Sequence, residues 1–452
     1  MNVSRNFVFQ SLCWATIILC VCLICPDCSY GRDNPVVKAA AAARPSVVNI
    51  RGEKEIYSSD ESANETVRRV KGMGAGVIID SRGYIVTNFH VIDSIKEIQV
   101  TTADGKTYVA RCIARDAATD LAIIKIETDV PLQTIAIGDS NELEIGETVI
   151  AMGNAYGYEH TVTMGIVSAL HRTVQASDVQ TYVNLIQTDA SINPGNSGGP
   201  LLNIDGEMIG INAAVRAGAQ GIGFAIPVDA ALERVADMLQ NQTNQLARHG
   251  LTVAAVVLPD GRKAVQVKKV DNNSPAQRVG IHQGDFIRSV DGVTVTNRVD
   301  FACALVENYG GASVNMEIIR NNEPYKFELE LQAPAGFRGD DLTVWNVLGL
   351  QLTEIPSTEF KQKYGSQYRG GMKVVRVRAG SPADQQGIEP GDAIIGLHKW
   401  ETLSMENVMY VLTRDDLASF SPLKFLVIRN RNVLYGSMTL TKSNNNNNVA
   451  SY

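Results

Sequence analysis

One stretch of this chain occurs twice. Ser274-Pro275-Ala276 followed by Gly284-Asp285-Phe286-Ile287 returns as Ser381-Pro382-Ala383 followed by Gly391-Asp392-Ala393-Ile394, a constant offset of 107 residues (381 − 274). Each copy must bury a core of its own, so a repeat of this length means two tandem copies of one small domain. Proline directly after serine suits the first position of a short helix. Gly-Asp then turns the chain into a strand. The repeat therefore divides the chain: two small α+β domains over 247–333 and 341–442, and a larger unit over 35–246. Residues 333–340 read as the linker, and the Asn-rich end, 443–452, as a disordered tail.

The larger unit reads as mainly β. Short apolar runs lie at 46–50, 74–80, 84–87, 97–101, 107–114, 121–126, 148–152, 163–170, 183–187, 208–213 and 222–226. Ser81-Arg82-Gly83 sits between two of them as a hairpin turn. Glycine is plentiful, 38 residues, and aromatics make up 6%, which favours short strands over long helices. Strands of this kind close into barrels or sandwiches. An alanine-rich segment, 35–43, reads as helical, and the charged stretch 53–71 as an exposed loop. The first long helix runs from 228 to about 246, with Leu232, Val235, Met238 and Leu239 on one face.

A net charge of −7 offers no electrostatic footprint for nucleic acid. Arg5 and the apolar run 7–25, followed by Ser29-Tyr30-Gly31, read as an export signal ending at residue 31. An uncleaved membrane anchor is the alternative, because the run nears bilayer-spanning length. Five of the seven cysteines lie in this leader, leaving Cys112 and Cys303 in different domains and no disulfide framework. The few histidines and cysteines show no ligand spacing, so neither metal nor organic cofactor is expected.

The chemistry concentrates at Asn193-Pro194-Gly195-Asn196-Ser197-Gly198-Gly199-Pro200. A nucleophilic serine needs a sharp turn that exposes Oγ, and peptide N–H groups that converge on an oxyanion. Glycines permit both. Such a serine needs a base and an orienter. Among six histidines, His90 follows a strand end directly, within Thr87-Asn88-Phe89-His90-Val91. Asp120 leads into the apolar strand 121–126. Asp93, Asp116 and Asp189 compete with it, and chain position alone does not choose.

Taken together and in order, Thr87-Asn88-Phe89-His90-Val91, Thr119-Asp120-Leu121-Ala122 and Gly195-Asn196-Ser197-Gly198-Gly199-Pro200 resemble the triad segments of the HtrA/Deg family of exported trypsin-like serine proteases. The two repeats resemble the PDZ domains that this family carries. The resemblance implies a chymotrypsin-like double β-barrel followed by two PDZ-like domains, with His90 as base, Asp120 as its orienter and Ser197 as nucleophile. The segment Gly195, Asn196, Ser197 would form the oxyanion hole. The strand holding Ile222, Gly223 and Phe224 would pair with extended substrate. Ser191 stands six residues before the nucleophile, where proteases that cut after basic residues carry Asp. Its lack of charge argues for small aliphatic side chains instead. His171 occupies a place where relatives often have glycine. Leu348, Gly349 and Leu350, and less closely Gly250 and Leu251, resemble the loop that holds a peptide carboxylate in PDZ domains.

The implied function is ATP-independent endoproteolysis in the periplasm or cell envelope, on unfolded or regulatory proteins, by a homotrimer or a higher multiple. Two rivals are a peptide-binding chaperone with an idle protease domain and a narrow signalling protease triggered through its PDZ domains.

Overall fold

The computed structural model describes residues 34–58, 66–95, 97–153, 161–175, 181–193, 195–213, 221–308, 310–333, 339–365, 367–378, 380–429 and 432–440. The export signal, the Asn-rich tail, His160, Pro194 and most of the linker fall outside them. Helix α1 (Pro35–Ala43) starts at an Asn34 cap, whose side chain accepts from Val36 N–H. The first six strands are β1 (Val47–Ser58), β2 (Thr66–Asp80), β3 (Tyr84–Thr87), β4 (Ile98–Thr101), β5 (Thr107–Asp116) and β6 (Leu121–Lys125). They close a barrel in the order β1-β2-β3-β6-β5-β4. A one-turn helix α2 (Phe89–Ile92) follows β3.

Strands β7 (Thr148–Gly153), β8 (Thr161–Gln175), β9 (Thr181–Thr188), β10 (Pro200–Leu202), β11 (Met208–Ala213) and β12 (Gly223–Pro227) close a second barrel, β10-β11-β12-β9-β8-β7. Helix α3 (Val228–Leu246) ends this unit.

The near-continuous apolar run of β6 has a packing reason. Ala122 and Ile124 face the interior of the first barrel with Val48, Ile50, Ile78, Ile85 and Val100. Leu121 and Ile123, on the opposite face, join a second core with Val228, Val235 and Leu239 of α3 and Leu202 of the second barrel. Both faces are covered, so alternation disappears. Each fully buried Ile or Leu stabilises the fold by roughly 1.5–3 kcal/mol.

One expectation fails here. The charged stretch 53–71, read as a loop, is mostly ladder: β1 and β2 pair from Val47↔Val77 out to Ser58↔Thr66. Backbone hydrogen bonds extend the hairpin past the point where core side chains end, and polar residues do not prevent that.

The distal part of the chain holds two sheets of one topology. The first comprises β13 (Leu251–Val257), β14 (Lys263–Val270), β15 (Phe286–Val290), β16 (Val293–Thr294), β17 (Ser313–Arg320) and β18 (Glu323–Glu330), with helices α4 (Pro275–Arg278) and α5 (Arg298–Leu305). The second comprises β19 (Leu350–Glu354), β20 (Met372–Val377), β21 (Ala393–Leu397), β22 (Trp400–Glu401), β23 (Leu423–Arg429) and β24 (Asn432–Met438). Its helices are α6 (Gly339–Val347), α7 (Ser357–Tyr364), α8 (Pro382–Gln385) and α9 (Met405–Leu412). The strand orders, β13-β14-β15-β17-β18 and β19-β20-β21-β23-β24, correspond one to one.

The repeated Gly-Asp proves to be more than a turn. Asp285 is gripped by Arg320, whose Nε and a terminal nitrogen donate to its two oxygens at 2.7 Å each. Arg429 holds Asp392 in the same way, at 2.7 and 2.8 Å. Both aspartates are buried, and bidentate guanidinium contact is what makes that burial tolerable.

Candidate active site

The site lies where the two barrels meet. Asn88 follows β3 as the N-cap of α2, which carries His90. The turn after β5 delivers Asp120 in a left-handed conformation, φ +56°, which few side-chain-bearing residues adopt. Its carbonyl accepts from Phe89 N–H at 3.1 Å and from Asn88 Nδ2 at 3.0 Å, tying the turn to the start of α2. Its carboxylate accepts His90 N–H at Oδ1, 2.9 Å, and shares 2.8 Å with His90 Nδ1 at Oδ2. A carboxylate only accepts, so Nδ1 carries the proton and Nε2 is left as the basic nitrogen.

The four candidate orienters are now separated. Asp116 binds Thr119 and Arg234, Asp189 accepts Ile166 N–H at 2.7 Å, and Asp93 binds Ser94. Of the four candidates, Asp120 is the one bonded to His90, at its backbone N–H and at Nδ1. A second donor reaches its Oδ2, the hydroxyl of Tyr182 at 2.8 Å. Sequence reading gave no sign of this tyrosine. Its phenol pKa is raised, first by burial and then by the charge of Asp120.

Ser197 is held through its backbone to the barrel that carries this pair. Ala75 N–H of β2 donates to Ser197 O at 2.9 Å, so the Ser197 segment of the second barrel is stitched to the first. Gly198 donates to Asn212 O at 2.9 Å and fits directly against Thr87 and Asn88. Gly195 takes φ +107°, which glycine alone adopts without strain. Asn196 is fully buried, and its N–H donates to Asn193 O at 2.9 Å. That N–H is therefore committed within the turn.

Along the strand expected to pair with substrate, Phe224 and Ala225 pair with β11 on one edge and with β9 on the other, while Gly223 pairs with β9 alone. Phe224 is buried in the core, Gly223 abuts Ile192 and the Ala190 carbonyl, and Ile222 is exposed beside them. Ser191 is exposed, its carbonyl accepting Thr163 Oγ1 at 2.9 Å. Ala190, Ile192 and Gly223 thus form an uncharged wall beside the segment that leads to Ser197.

Of the other histidines, His171 takes φ +56°, the conformation a glycine would take there, and shares 2.6 Å with Asn184 Oδ1. His398 stacks with Trp400 and Phe420. His249 lies in the first small unit, fully buried, its pKa lowered to about 4 by burial against a weaker opposing effect of Asp271.

The two loop candidates are structural equivalents. Gly250 and Gly349 have φ of +81° and +80°, and their carbonyls accept from Asp271 and Arg378 N–H. His249 and Leu348 carbonyls likewise accept from Ala276 and Ala383, both at 3.1 Å. The difference is chemical. Leu251 N–H donates to His249 Nδ1 at 3.1 Å, whereas Leu348 in the other loop offers the Leu350 amide no side-chain acceptor. A cavity of about 310 Å³ adjoins the first loop, between α3, β13 and α5, away from His90.

Residues 74–211 match the trypsin-like peptidase domain family and residues 239–331 match the PDZ domain family. The periplasmic serine endoprotease DegP of Salmonella typhimurium is 34% identical over 364 residues, covering 76% of this chain and 72% of that protein. DegP of Escherichia coli K12 is also 34% identical, with 76% and 73% covered. The periplasmic pH-dependent serine endoprotease DegQ of the same organism is 33% identical, with 79% of each chain covered.

Proposed function

This chain belongs to the HtrA/Deg family of trypsin-like serine proteases, and from that premise we propose that His90, Asp120 and Ser197 carry out its peptide-bond hydrolysis. The observation that carries the assignment is the doubly bonded His90–Asp120 pair beside a serine held to the same barrel by Ala75 N–H. Ser197 Oγ attacks the scissile carbonyl while His90 Nε2 takes its proton. The N–H groups of Gly195 and Ser197 hold the oxyanion, a contribution worth about 10²–10³ in rate per donor. His90 then gives the proton to the leaving amine, and water repeats the sequence on the acyl ester. Asp120 holds the Nδ1–H tautomer and stabilises the imidazolium.

The uncharged wall at Ala190, Ser191, Ile192 and Gly223 supports a preference for small aliphatic side chains. The Leu348-Gly349-Leu350 loop is the better candidate for peptide C-termini, since His249 already occupies the amide of Leu251. The periplasm is the working compartment, as for the curated relatives, reached through residues 1–31 as a signal peptide. Unfolded or regulatory proteins as substrates, and a trimer or a higher multiple as the assembly, follow from the family resemblance.

The test is to treat the purified protein with a serine-directed phosphonate probe and an unfolded protein, with Ser197→Ala alongside. Labelling and cleavage by wild type alone are expected. Cleavage surviving in the variant would overturn the assignment, and a folded wild type that neither labels nor cleaves would favour the peptide-binding chaperone.

A further inference from the structure

We propose that Tyr182 is a positioning residue of the proteolytic site, a neutral donor from the second barrel that locks the Asp120 carboxylate of the first. The inference rests on the assignment of His90, Asp120 and Ser197 above. His90 and Asp120 both belong to the first barrel, and a carboxylate at the end of a tight turn can rotate about its own side-chain bonds. His90 N–H fixes Oδ1 at 2.9 Å; Tyr182 OH adds a 2.8 Å bond at Oδ2, the oxygen that also meets His90 Nδ1. Two donors on one oxygen leave it a single orientation. The tyrosine comes from β9, so the bond forms only when the two barrels sit in register.

The local backbone explains how β9 reaches so far. The β8–β9 ladder is irregular, with register shifts between Val167/Ala169, Ala169/Arg172 and Arg172/Val174. At this disruption His171 and Asn184 both have positive φ, +56° and +59°, and their side chains meet at 2.6 Å. Bulges re-aim the side chains beyond them. Tyr182 stands two residues before Asn184 and reaches Asp120 with its hydroxyl.

Burial and the facing carboxylate both disfavour the phenolate, so Tyr182 stays a donor. The groups facing Asp120 are His90 from α2 and Tyr182 from β9. Asp116, the other acid of that turn, is paired with Arg234 of α3. Deleting the hydroxyl leaves the Asp120 charge acting more fully on His90, so the imidazolium is favoured and the acid limb of the pH profile moves up.

Tyr182→Phe keeps the ring and removes the donor. We expect kcat on a fluorogenic peptide to fall about tenfold with KM within about twofold, and the acid limb of kcat/KM to shift to higher pH. A second measurement guards against a destabilised variant: phosphonate labelling rates for Tyr182→Phe alone and in an Asp120→Asn background. If Tyr182 acts through Asp120, its substitution has little further effect in that background. An equal loss in both backgrounds, or a rate and pH limb unchanged by Tyr182→Phe, overturns the inference. A folded wild type that does not label would overturn the parent assignment and this inference with it. A labelled wild type beside an unaffected Tyr182→Phe sinks this inference alone.

Discussion

Gly198 shows how little room the site leaves at the scale of one residue. Its φ is +82°, and a Cβ there would lie 2.3 Å from both the Ala75 carbonyl and Thr87 Oγ1. Both neighbours belong to the first barrel, and Thr87 Oγ1 itself donates to Ala75 O at 2.7 Å. Neither is the free end of a flexible side chain. Gly198→Ala should therefore push Ser197 away from the segment that carries His90. A displacement near 1 Å costs about a hundredfold in rate, and the left-handed backbone adds about 1–3 kcal/mol of strain. Labelling rate and denaturant midpoint read the two effects separately. Wild-type values in both would mean the close approach does not exist in solution. Legibility also divides at this scale. Ser197 and His90 could be named because their chemistry demands those residue types after a turn and a strand end. Asp120 could not be chosen over Asp116 or Asp189, because what distinguishes it is a bond to a residue thirty positions away. Tyr182 left no trace at all, since only an irregular ladder aims it.

At the scale of elements, the two loops before β13 and β19 share one backbone and differ in one side chain, His249 against Leu348. His249 is buried, with Phe301 edge-on at 5.6 Å and Gln240 at 2.9 Å from Nε2. Nδ1 accepts from Leu251, so the neutral ring donates from Nε2, and the Gln240 amide must present its oxygen there. Its folded pKa of about 4 lies below the ordinary 6.5. As pH falls below 6.5 the unfolded chain takes up a proton that the folded chain refuses. The stability contributed above that pH is lost on the way to pH 4, roughly 3 kcal/mol at most. His249→Leu should flatten the midpoint-versus-pH curve over this interval relative to wild type. Parallel curves would show that the histidine is hydrated instead. Elements were read well where side chains report the pairing and poorly where they do not. The strands of the first barrel announce themselves through Val and Ile. The extension of β1 and β2 past Met73 is backbone ladder carrying polar residues, and it passed for a loop. One edge of β12 is filled by β9, which is distant in sequence and which no local pattern reveals.

At the scale of the whole molecule, the first small unit is not strung loosely behind the protease. Val299, Ala302, Cys303 and Val306 of α5 and its cap are buried in the same core as Val228, Ala231, Val235 and Leu239 of α3. Arg298 meets Asp237 across the junction at 2.7 Å, and Lys125 of β6 meets Glu307 at 3.4 Å. The solvent-facing Arg298–Asp237 pair adds little, so apolar burial does most of the joining. Ala302 is the sharpest place to test it, being small, 2% exposed and on the face turned to α3. Ala302→Asp would place a carboxylate in that apolar cluster, and Arg298, one turn earlier on α5, is already paired with Asp237. Leaving an unpaired charge buried costs several kcal/mol, and undocking α5 from α3 relieves it without unfolding either sheet. The cost of undocking is the exposure of α3, which also backs β6 and therefore the strand that begins at the Asp120 turn. We expect calorimetry to resolve the unfolding of this region into two transitions, with the protease transition moved down. Labelling at Ser197 should persist below that transition, because the barrels and their hydrogen bonds remain. A single transition at the wild-type temperature would mean that the two units do not share a core in solution.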